Sequence, residues 1–68
     1  GRDIYLDFSQ LGGDVETRLS MLCHWVLQLS AADQPFALCL PGLELPCATG
    51  PAQREACLRA LALFGRAP

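Results

Sequence analysis

Asp7 and Ser9 stand two residues apart at the end of an apolar run, Ile4-Tyr5-Leu6-Asp7-Phe8-Ser9, and Gln10-Leu11-Gly12-Gly13-Asp14 follows at once. A carboxylate and a hydroxyl at the end of a strand, just before a helix, occupy the place where α/β proteins gather ligands. Such oxygens suit Mg²⁺, which wants hard ligands in near-octahedral geometry and keeps several waters, so one carboxylate with hydroxyls holds it only weakly. The same pair can instead cap a turn and satisfy local N–H groups. Asp14 and Glu16 crowd the same junction with negative charge, which disfavours phosphate despite the free N–H groups of a helix start.

Other reactive residues do not assemble into a catalytic pattern. Cys23 and His24 are neighbours in sequence, but successive side chains on a helix diverge and cannot form a nucleophile and its base. The single histidine, with no nucleophile elbow and no long glycine-rich phosphate loop, points away from an enzyme. Cys23, Cys39, Cys47 and Cys57 include no C-x-x-C pair and match no zinc spacing. Cys23 and Cys57 fall on apolar helix faces and Cys39 within an apolar strand, as small core residues of a protein in a reducing compartment do. Cys47 falls in a loop and is the candidate exposed thiol. Were disulfides to form, three pairings would be open.

The net charge is -2, and the basic residues, Arg2, Arg18, Arg54, Arg59 and Arg66, are scattered without interleaved aromatics. A nucleic-acid surface needs a basic stripe, so that class is excluded. The 68 residues form one domain at most, close to the roughly 70 to 80 residues below which a single core needs help. A hydrophobic content of 51% suggests surface that a partner, a second copy or flanking sequence covers. A start at Gly1-Arg2 and a stop at Arg66-Ala67-Pro68 read as the ends of a piece, residues 1–68 being a single partial domain. No run approaches the roughly 20 apolar residues of a membrane span.

These residues must be positioned by local structure. Residues 3–8 are too uniformly apolar for a strand with one wet face, which predicts an interior, parallel-type strand. Ser9 to Gly13 form a turn, and Asp14 offers a carboxylate to cap the following helix, with Glu16 in its first turn. Val15, Leu19, Leu22, Cys23, Val26 and Leu29 then repeat at helical spacing opposite a polar stripe of Glu16, Ser20, His24 and Gln28. Met21 and Trp25 widen the apolar arc, to meet either a neighbouring helix or a partner. Residues 36–40 predict a second buried strand and a right-handed βαβ unit. Pro41-Gly42 suits a type II turn, and residues 43–45 predict a short third strand that Pro46 confines to an edge. Gly50-Pro51 opens a second helix with Cys57, Leu58, Leu61 and Phe64 inward and Gly65 as its left-handed stop. The expected architecture is α/β, a βαββα arrangement with a small, mainly parallel sheet, an edge hairpin and two helices.

Taken in order, the strand ending Leu6-Asp7-Phe8-Ser9, the helix containing Trp25-Val26-Leu27, the segment Phe36-Ala37-Leu38-Cys39-Leu40-Pro41-Gly42 and the helix Cys57-Leu58-Arg59-Ala60-Leu61-Ala62-Leu63-Phe64 carry a resemblance. They are similar to the bacterial domain of unknown function family fifty-eight, whose members resemble the von Willebrand factor type A domain. The resemblance implies part of a doubly wound sheet whose first strand ends in a metal-ion-dependent adhesion motif, Asp-x-Ser-x-Ser, completed by a later threonine and aspartate. Asp7 and Ser9 match its first two positions, whereas Leu11 replaces the second serine. Thr49 stands near the family threonine, which makes Asp7, Ser9 and Thr49 a degenerate metal set for Mg²⁺.

The function so implied is a non-catalytic protein-interaction module. Its partner would be a MoxR-type AAA ATPase in complex assembly, and the module would lie in the cytoplasm on a protein anchored at the inner membrane. A weak divalent-cation-dependent ligand site at Asp7, Ser9 and Thr49 is the alternative. In the doubly wound order the first strand also pairs with later strands, so its outer edge is expected to recruit another chain, including a second copy in a homodimer. Tyr5, Met21 and Trp25 are the interface candidates.

Overall fold

The computed structural model describes residues 3–66. In chain order it contains β1 (Ile4–Asp7), a 3-10 turn (Phe8–Gln10), α1 (Val15–Ala31), β2 (Phe36–Leu40), β3 (Leu43–Ala48) and α2 (Pro51–Arg66). The result is a mixed α/β unit, a three-stranded sheet with two helices. Gly1, Arg2, Ala67 and Pro68, where the sequence suggested the ends of a piece, lie outside the described residues.

Local chemistry sets the boundaries. Asp14 caps α1, its Oδ1 accepting from the Thr17 N–H at 2.8 Å. At the other end Asp33 takes a left-handed φ of 53°, and the Gln34 N–H returns to the Leu29 carbonyl at 2.9 Å, which satisfies groups the last turn leaves free. Gly42, at φ 80°, supplies the positive φ that the third position of a type II turn demands after Pro41.

The sheet order is β1-β2-β3. β1 and β2 are parallel, with Ile4 beside Phe36, Leu6 beside Leu38 and Asp7 beside Cys39. β2 and β3 are antiparallel, with Leu38 beside Leu45 and Leu40 beside Leu43. The sheet is therefore half parallel rather than mainly so. Ladder partners share a face, so Ile4, Leu6, Phe36, Leu38, Leu40, Leu43 and Leu45 form one side. Against the buried members of that side pack Leu22 and Val26 of α1 and Cys57 and Leu61 of α2, with Phe8 closing one end. Each such large apolar side chain contributes about 1.5–3 kcal/mol on burial. Phe8 meets Phe64 edge-on at 5.2 Å, and the Arg18 guanidinium lies over the Phe8 ring at 5.0 Å.

Further expectations are corrected. β1 is not an interior strand: it spans Ile4–Asp7 at the sheet edge, and Tyr5 is 65% exposed on the side the helices do not cover. β3 runs through Pro46 to Ala48, because a register slip opposite residues 36–38 accommodates the missing N–H. Cys47 consequently lies in a strand, partly buried. Gly65 does not end α2 with a positive φ; it remains helical, and a Cβ there would stand 3.2 Å from Leu19 Cδ1, so its smallness serves close helix packing.

Candidate functional site

The carboxyl end of β1 is organised by Asp7. Its Oδ1 accepts from the Ser9 N–H at 3.0 Å and from Ser9 Oγ at 2.8 Å, and so caps the 3-10 turn. One oxygen of the carboxylate is thus already committed to its own chain. Thr49 does not join it. β3 runs back along β2, so Ala48 is level with Phe36 while Asp7 is level with Cys39. Thr49 lies one residue further on, about 13 Å from Asp7 along the strands at roughly 3.3 Å per residue. The fold therefore unites Asp7 and Ser9 but places Thr49 at the opposite end of the sheet. Among the described residues no group of three or more His, Cys, Asp or Glu side chains could hold a metal ion.

The uncovered side of the sheet is acidic. Asp7, Cys39 and Glu44 are ladder neighbours, and the Cys47 thiol donates to Asp3 Oδ1 at 3.7 Å. The thiols respond to that setting. Loss of hydration, with Glu44 and Asp7 nearby, raises the Cys39 pKa above its ordinary value. Loss of hydration and Asp3 do the same for Cys47. Burial pushes Cys57 up to about 11. A nucleophilic cysteine needs the opposite shift.

A different site forms where β1 meets α1. Ile4, Tyr5, Leu6, Asp7, Gln10, Leu11, Leu22, Trp25 and Leu29 line an open groove of ≈ 330 Å³. Two of the three interface residues expected from sequence, Tyr5 and Trp25, therefore converge on it, and Trp25 is 47% exposed. Met21, also exposed, does not line it. Leu11, Leu29 and Gln10 were not anticipated. Leu29 follows Trp25 by four residues, a spacing that puts both on one helical stripe; nothing local marks Leu11 or Gln10.

A larger groove, ≈ 450 Å³, runs along the other edge between Leu43, Leu45, Ala56, Arg59, Ala60 and Leu63, with Glu55. Its strand carries Pro46 and a register slip, both of which blunt a strand edge against pairing. β1 has neither, and among the described residues it pairs only with β2. The β1 groove is therefore the better docking surface, although it is the smaller of the two.

Compared with models of protein families, with curated proteins and with solved structures, the chain matches none.

Proposed function

We propose that this chain is a non-catalytic protein-interaction module whose partner docks on the β1 edge and the groove beside it. One observation carries the reading: the exposed Trp25 borders an apolar groove that runs along the unpaired edge of β1, residues 4–7. An exposed tryptophan beside an apolar groove is a usual anchor of protein interfaces. Three cysteines held on the unreactive side of their ordinary pKa support a role without covalent chemistry.

Within that reading the module is a partial von Willebrand A-like domain of family fifty-eight. β1 pairing with β2 on one side, with its outer side open, is compatible with the start of a doubly wound sheet. The partner class is a MoxR-type AAA ATPase, met in the cytoplasm by a protein anchored at the inner membrane. No helix among the described residues is long and apolar enough to cross a membrane.

The test is direct binding to a purified MoxR-type AAA ATPase, followed by biolayer interferometry for the wild type and for Trp25→Ala. Saturable binding that the substitution weakens at least about tenfold, a loss of about 1.4 kcal/mol, supports the proposal. Binding that ignores the substitution moves the interface elsewhere, and no binding removes this partner class.

A further inference from the structure

We propose that the natural occupant of the β1 edge is an extended peptide segment of alternating apolar and basic side chains, added to the sheet as a fourth strand. This rests on reading the β1 groove as a docking surface and specifies what docks there.

The two sides of β1 differ in chemistry. On the helix side Ile4 and Leu6 adjoin Leu11, Trp25 and Leu29 along the groove. On the other side stand Tyr5 and Asp7, with Asp3 one step before the strand and Glu44 two strands away. None of the described strands carries a basic residue, and Arg18, Arg54 and Arg59 belong to the helices. A strand laid beside β1 sends successive side chains to opposite sides. One set enters the apolar groove, and the other passes over Tyr5 between two carboxylates. Lysine or arginine fits that second set, because opposite charges pair favourably across strands and the Tyr5 ring offers a cation its face.

The same register arithmetic disfavours the two fullest antiparallel pairings with a second copy. A two-fold antiparallel pairing centred on Tyr5 sets Asp3 directly opposite Asp7, twice, and like charges opposite one another are destabilising. Slipping by one residue pairs all of Ile4–Asp7 but sets Ile4 against Asp7 and turns the two helix layers to opposite sides. A foreign strand of complementary charge meets neither obstacle. Main-chain hydrogen bonds would give it affinity, and the alternate side chains specificity.

The test uses the chain as it stands and three synthetic peptides of strand length, about seven residues. One alternates leucine and lysine, one replaces lysine by glutamate, and one carries a central proline in the leucine–lysine background. Trp25, the single tryptophan, reports binding by fluorescence, and amide exchange by NMR reports on Ile4–Asp7. The leucine–lysine peptide should bind saturably, shift the Trp25 emission to the blue and slow exchange across β1. Binding should weaken at least about tenfold with glutamate, with proline or with Asp3→Asn, the 1.4 kcal/mol of a lost pair or ladder. Equal binding of all three peptides at Trp25 without β1 protection overturns the strand proposal and leaves the docking surface standing. Failure of all three peptides, with ATPase binding insensitive to Trp25→Ala, removes both. A concentration-dependent dimer that protects β1 without peptide overturns the proposal in favour of a second copy.

Discussion

The side-chain amide of Gln53, on α2, donates to the main-chain carbonyl of Phe36 at the start of β2 over 2.8 Å, and again to the Pro46 carbonyl at 3.0 Å. This is where the β2–β3 ladder slips, so the helix supplies a donor that the sheet lacks. Gln53 is only 8% exposed, and its loss would strand the buried Phe36 carbonyl. Gln53→Leu should cost about 1–3 kcal/mol. Urea denaturation checks this, and a change within about 0.5 kcal/mol, the range of a neutral surface substitution, would refute the role.

Trp25 and Leu22 lie three residues apart on α1 but differ in burial, 47% against 1% exposed. Leu22→Ala should lose about 2–5 kcal/mol by leaving a cavity. Trp25→Ala should stay within about 1 kcal/mol while weakening partner binding at least about tenfold. If Trp25→Ala unfolds the chain, the ring belongs to the core and not to an interface.

Asp14 makes the stability of α1 depend on acid. The Thr17 N–H, then its hydroxyl, favours the carboxylate and lowers its pKa from 3.8. A folded pKa below the unfolded one means that the contribution is complete above 3.8 and is lost as pH falls through the lower folded value. Asp14→Asn retains a capping oxygen but cannot titrate, so the difference between wild type and variant should shrink or reverse in acid. Denaturation midpoints measured from neutrality downward test this; a constant difference would sink it.

Cys57 acts at the other extreme. Its folded pKa of about 11 exceeds the ordinary 9.0, so the unfolded chain ionises first. Its contribution is therefore whole below 9.0 and lost as pH rises towards about 11. Cys57→Ala should be less stable near neutrality by about 1 kcal/mol, and the gap should narrow across that alkaline window. In alkylation of the native protein at neutral pH, Cys57 should be the slowest of the four thiols to react.

Much of the fold is legible along the chain. The 3.6-residue repeat through Leu19, Leu22, Cys23, Val26 and Leu29 marks α1, and Asp14 marks its start. The apolar block at 36–40 and the Pro41-Gly42 turn mark the hairpin. These signals survive because they are local: period sets the buried face, and turn chemistry sets the reversal. They fail where a local preference meets a distant neighbour. Gly65 reads as a stop, yet Leu19 from another helix makes it a contact point. Val15 keeps the apolar period but remains exposed at the first turn of α1.

By itself, then, the sequence determined the βαββα order, the inward stripes and the pairing of Asp7 with Ser9, each set by residues close together in the chain. Only the tertiary structure decided that Thr49 stands far from Asp7, that Trp25 and the β1 edge share a groove, and that Gln53 repairs a broken ladder. Periodicity says that a face is apolar but not what covers it. The antiparallel return of β3 and the packing of α1 beside β1 fix those relations, and both depend on contacts between residues remote in sequence.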